Sequence, residues 1–148
     1  MGFFKDLKNK VTGGAATVTV NVPAARRGQI AEVKIQATAK ANGKASAIYL
    51  LVRATESCEI KGSHHSDPKF KEEKVRGRRT SYEHRFSVAG ATELKEGQTY
   101  DWNAQIELPT NVGPSLNGEM IDHEWEIQAG LDMAGNDPDS GWHAFQVS

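Results

Sequence analysis

The sequence predicts an all-β protein, an antiparallel sandwich of about seven strands with one short helix at the N-terminal end. Three observations predict it. Apolar and polar residues alternate with period two through most of the 148 residues, the pattern of strands with one dry and one wet side. Polar or Gly- and Pro-bearing turns separate these runs. No segment after the first eleven residues carries a convincing helical period. The length suits one domain. With 38% hydrophobic residues the chain buries a core without needing disulfides or metal.

The opening residues Phe3, Phe4, Leu7 and Val11 have helical spacing, with Lys5, Lys8 and Lys10 beside them. Lys5, Asp6 and Lys8 break any secretory apolar run, and Asp6 departs from the myristoylation pattern. Residues 1–14 therefore read as a short amphipathic helix ending in a Gly13-Gly14 hinge. Docking of that helix on the sandwich is favoured over a membrane surface, because so few residues bury little in a bilayer. Residues 15–148 read as a single sandwich domain. No run approaches the ~20 apolar residues of a membrane span, and the expected location is cytoplasmic.

The strands follow in order. Val18, Val20 and Val22 alternate with Thr17, Thr19 and Asn21, and Val33, Ile35, Ala37 and Ala39 with Glu32, Lys34, Gln36 and Thr38. Asn42-Gly43, a strong hairpin signal, stands before the third strand. That strand sets Ile48, Leu50, Val52 and Ala54 on its dry side. Tyr49, Leu51, Arg53 and Thr55 make its other side partly apolar, so it is expected to be central or covered. Tyr82, His84, Phe86 and Val88 form the dry row of the fourth, and Tyr100, Trp102, Ala104, Ile106 and Leu108 that of the fifth. The sixth buries Ile121, His123, Trp125, Ile127, Ala129 and Leu131, and the last sets His143, Phe145 and Val147 on one side. Seven such strands bury their apolar faces by stacking two sheets, and the count fits an immunoglobulin-like sandwich.

Charge is unevenly spread. Residues 1–96 hold all 18 Lys and Arg against 10 Asp and Glu, whereas residues 97–148 hold 9 acids and no Lys or Arg. Interleaved strands would mix these charges over one surface; a bipolar surface would steer a charged partner or a second copy. The near-neutral total opposes nucleic-acid binding. Residues 57–79 break the alternation and are basic. They read as a long connection, partly extending the flanking strands, that faces either solvent or an acidic partner.

Catalytic and metal motifs are sparse. Cys58 is the only cysteine, so no internal disulfide is available. His64-His65-Ser66-Asp67 is the one local histidine cluster, and adjacent histidines rarely share a zinc ion. His84 and His123 read as hydrogen-bonded core or rim histidines. Asp132, Asn136, Asp137 and Asp139 offer oxygen ligands for calcium, but such residues also form ordinary turns. No nucleophile elbow, phosphate loop or H-E-x-x-H occurs. The expectation is a non-enzyme without a cofactor or metal. A carbohydrate- or calcium-binding sandwich is the alternative, with Trp142 the one tryptophan of ambiguous face.

Several motifs line up in order. Phe3-Phe4-Lys5 is followed by Gly13-Gly14, and Arg27-Gly28 precedes the strand of Val33 and Ile35. Ala47-Ile48-Tyr49-Leu50-Leu51-Val52 comes next. Glu107-Leu108-Pro109, Pro114-Ser115, Glu124-Trp125-Glu126-Ile127, Ala129-Gly130-Leu131-Asp132-Met133-Ala134 and Asn136-Asp137-Pro138-Asp139 complete the set. In this order they resemble the amino-terminal sandwich of the arrestin-like superfamily, and more narrowly the bacterial sporulation-control proteins. The resemblance runs from Phe3 to Val147. It implies a non-catalytic adaptor or regulator that acts by protein contact. Such proteins usually carry two sandwiches and this sequence has length for one, so a single lobe or a dimer is expected. The charge pattern, not the resemblance, nominates Lys69, Lys71, Lys74, Arg76, Arg78 and Arg79 for contact with an acidic partner. That partner includes the acidic face of a second copy, giving a homodimer. An edge strand is a second expected contact, accepting an extended peptide.

Overall fold

Val33, Ile35, Ala37 and Ala39 are all buried while Glu32, Lys34 and Gln36 are exposed, and the same alternation organises the rest of the chain. The structure is a computed structural model that describes residues 14–60 and 75–148. The helix expected over 1–14, the His64-His65 pair, and Lys69, Lys71 and Lys74 lie outside the described residues. The described elements are all strands: β1 (Ala16–Asn21), β2 (Ile30–Ala39), β3 (Gly43–Ile60), β4 (Val75–Ala89), β5 (Thr92–Leu94), β6 (Thr99–Glu107), β7 (Leu116–Asn117), β8 (Ile121–Met133) and β9 (His143–Phe145).

Two antiparallel sheets form. One has the order β1-β2-β6. The other has the order β4-β3-β8-β7, with β5 beside β3 and β9 beside β8. The strand β3 is central, as its two partly apolar sides require: it pairs with β4 on one flank and with β8 on the other. The core lies between the sheets. Ile35, Ile48, Leu50, Ile106, Ile127, Leu131 and Trp125 are essentially free of solvent there, each aliphatic worth about 1.5–3 kcal/mol of burial.

The other side of β3 is covered by side chains rather than by a sheet. Tyr49 is buried and donates its hydroxyl proton to Asp137 Oδ2 at 2.9 Å. The Arg85 guanidinium lies over the Tyr49 ring, and that of Arg53 over Trp142. Gly130 makes room for Tyr49, because a Cβ there would come within 2.7 Å of the ring. The segment before β2 turns at Gly28 and that before β6 at Gly97, with φ of 75° and 81°, a backbone region that suits glycine.

Three expectations need correction. Asn42-Gly43 joins no hairpin: β2 and β3 lie in different sheets, and neither residue has positive φ. Asn42 Oδ1 instead accepts the Glu96 N–H at 2.9 Å, tying the crossover to the β5–β6 turn. His84 sits on the inward row of β4 but is exposed, because β4 is an edge strand. Ile121, expected on the buried row of its strand, is exposed, because no facing layer covers that end of the sheet. As expected for part of the 57–79 stretch, residues 57–60 and 75–79 extend β3 and β4, paired with each other.

Candidate partner-binding site

The inward row of β3 is buried from Ile48 to Ala54 and then becomes exposed at Glu56, Cys58 and Ile60. The paired residues on that face are Arg79 and Gly77 of β4, and His123 and Ile121 of β8. The larger sheet therefore overhangs the smaller one at this end. Its bare inner face becomes one side of a groove, and the 113–116 loop with β7 becomes the other. The groove has a volume of about 540 Å³ and mostly apolar walls. Cys58, Ile121, Leu116 and Pro114 line it, together with Arg78 and Arg79. Gly77 keeps the floor open, since a Cβ there would approach Cys58 Sγ to 3.1 Å.

The loop wall is held by buried donors. Trp125 Nε1 donates to the Gly113 carbonyl at 3.0 Å. His123 Nδ1 lies 2.8 Å from the Pro114 carbonyl; a carbonyl only accepts, so Nδ1 carries the proton. Ser115 N–H donates to the Val147 carbonyl at 2.7 Å, and Val147 N–H returns a bond to Ser115 Oγ at 2.8 Å. The wall is thus preformed, which lowers the ordering cost of binding.

Ser81 Oγ stands 2.6 Å from His123 Nε2 and 3.1 Å from the Ala54 carbonyl. With a neutral ring the hydroxyl donates to Nε2. The distance is that of a nucleophile–base pair, but the group on Nδ1 is a neutral carbonyl rather than the carboxylate of a triad. Ser81 carries no sequence signal for this role, because it lies on another strand, 42 residues from His123.

Of the six nominated bases, the structure describes three. Arg79 pairs with Glu56 at 3.0 Å and Arg76 with Glu59 at 3.2 Å, both across the β3–β4 ladder. Arg78 has no carboxylate within ion-pair distance among the described residues. It stands opposite Ser57, whose other neighbour is Asp122, and Asp122 Oδ1 is buried without a hydrogen-bond partner among the described residues. Charge from the two halves of the chain mixes here and nearby: Arg53 pairs with Glu126 at 3.1 Å and Arg85 with Asp132 at 3.6 Å.

No group of three His, Cys, Asp or Glu residues converges as metal ligands among the described residues. In the late acidic loop Asp137 receives Tyr49 and the Met133 N–H, and Asp139 receives the Gly141 N–H, so these carboxylates close turns. Trp125 is fully buried, Trp142 is capped by Arg53, and Trp102 is half-buried. No helix among the described residues is long and apolar enough to cross a membrane.

No protein-family model matches the chain, and no curated protein matches it either. Among solved structures, the crystal structure of Spo0M, a sporulation control protein from Bacillus subtilis, superposes with a TM-score of 0.63 at 19% identity. The match covers 91% of this chain and 50% of that one. The chain thus spans about half the length of that protein. The likeness shows the fold, the arrestin-like β-sandwich that the sequence motifs implied.

Proposed function

We propose that the chain is a non-catalytic regulatory domain of the cytoplasm that binds another protein. An extended partner segment, apolar with flanking acids, enters the groove between the β3–β4 hairpin and the 113–116 loop. The observation that carries this reading is the combination of a preformed apolar groove with Arg78 among its lining residues, uncommitted to any carboxylate among the described residues. Apolar walls supply affinity, and the Arg78 guanidinium selects acidic flanks and speeds encounter. Spo0M is described as a sporulation control protein; a shared fold supports a regulatory role by analogy only.

The test uses a labelled synthetic peptide of leucines flanked by glutamates, followed by fluorescence anisotropy at low and high salt. Binding is expected, weaker in high salt, and reduced by Arg78→Glu and by Ile121→Glu. Replacing Lys69, Lys71, Lys74, Arg76, Arg78 and Arg79 together by Ala is expected to abolish the salt dependence. Binding indifferent to all of these changes would overturn the reading.

A further inference from the structure

The strand β4 closes the larger sheet on one side and pairs only with β3, so its other edge presents unpaired backbone groups among the described residues. Natural edges are usually protected by bulges, charges or short length. The strand has two irregularities in its pairing with β3, one at Ser81 and one at Val88. Between them runs a regular stretch, Tyr82–Ser87. Its inward row is only partly covered: Tyr82 and Phe86 are partly buried against the core and His84 is exposed.

This stretch has a chemical symmetry. Counting outward from His84, Glu83 mirrors Arg85, Tyr82 mirrors Phe86, and Ser81 mirrors Ser87. An antiparallel strand laid against its own copy with His84 on the twofold axis brings those mirror residues opposite one another. Two Glu–Arg pairs then form on the outer face and two Tyr–Phe pairs on the inner face, the cross-strand combinations that stabilise sheets. A register shifted by one residue sets side chains of opposite faces against each other. One shifted by two puts Arg85 against Arg85 or Glu83 against Glu83 at the centre.

The geometry points to a homodimer in which β4 of one copy pairs antiparallel with β4 of a second, centred on His84, joining the two larger sheets into one. Glu83 has no ion-pair partner among the described residues, and the second copy supplies one. Arg85 is half-exposed and 3.6 Å from Asp132. Turning to Glu83 of the second copy gives up a weak, solvent-screened ion pair and the stacking on the Tyr49 ring, in exchange for a pair enclosed between two copies. This interface differs from the groove and does not rest on it.

Sedimentation velocity of the full chain over a range of concentrations tests it. The wild type is expected to dimerise, and Glu83→Lys or Arg85→Glu alone to raise the dissociation constant about tenfold or more, each making two like-charge contacts. The double variant Glu83→Lys/Arg85→Glu restores both pairs and the dimer. Mixing the two single variants also yields a dimer: the introduced lysine of one copy meets the introduced glutamate of the other, and the retained Arg85 meets the retained Glu83. A wild type that stays monomeric, a wild type that instead binds an added peptide along β4, or a double variant as weak as the singles would overturn the proposal. So would a dimer that responds to Arg78→Glu and ignores the β4 charges, since that places the contact at the groove.

Discussion

Two halves of β3 share one alternation and meet opposite fates. From Ile48 to Ala54 the inward row is sealed under the second sheet; from Glu56 to Ile60 the same row is open to solvent. Both halves are paired on both sides, up to Ile60 with β4 and up to Cys58 with β8, so main-chain hydrogen bonding does not distinguish them. What differs is the presence of a facing layer. The closed half carries the stability of the domain, and the open half leaves apolar surface uncovered.

Substitutions sharpen that contrast. In the closed half Leu50→Ala is expected to cost about 2–5 kcal/mol, the cavity cost of a fully buried leucine; urea unfolding with an unchanged slope reads it. Gly130→Ala follows, at about 1–3 kcal/mol, because its Cβ collides with a Tyr49 ring that is itself enclosed. The companion Tyr49→Phe/Gly130→Ala is expected to be no better, since the ring and not the hydroxyl makes most of the clash.

Tyr49→Phe alone is smaller, about 1.5 kcal/mol, the value of a hydrogen bond to a charged acceptor. It also changes the response to alkali. The Tyr49 hydroxyl is pushed up to about 12, chiefly by burial and then by the Asp137 carboxylate it donates to. The folded state keeps this proton after unfolded tyrosine, with its ordinary value of 10.0, has lost it. The resulting stability is whole below pH 10 and lost as pH rises from 10 to about 12. The wild-type urea midpoint should fall over that window, and Tyr49→Phe should fall less. The remaining slope belongs to Tyr82, which burial also raises.

The open half should barely respond. Arg79→Ala breaks an exposed pair with Glu56 and is expected to cost under about 1 kcal/mol. A loss as large as that of Leu50→Ala would mean the overhang is part of the core, and the distinction between the halves would fail.

Much of the closed half is legible in the sequence, because a buried face stamps a period of two on β2, β3 and β8. The open half is not, since alternation reports which residues share a face and says nothing about what lies opposite. Cys58 and Ile121 continue the pattern of Ala54 and Trp125 into a groove. His84 misleads for a related reason: its row is inward, but an edge position leaves it exposed. The pair Asn42-Gly43 carries a local preference for a tight turn, and the chain uses the site to change sheets. The strands β5 and β7 span three and two residues, too few to show any period. The clamp of Ser81, His123 and Pro114 joins two stretches 42 residues apart and needs the fold to appear at all.

The place of β3 also bears on how the molecule assembles. Its β4 flank comes from the next strand along, whereas its β8 flank comes from far away, with Ala45 meeting Met133 and Cys58 meeting Ile121. Closing loops of that size before any contact rewards them makes such topologies slow, with refolding in milliseconds to seconds. During synthesis β3 waits, half-dressed, until β8 leaves the ribosome, and stopped-flow refolding of Ile127→Val should show whether that late arrival is the rate-limiting event.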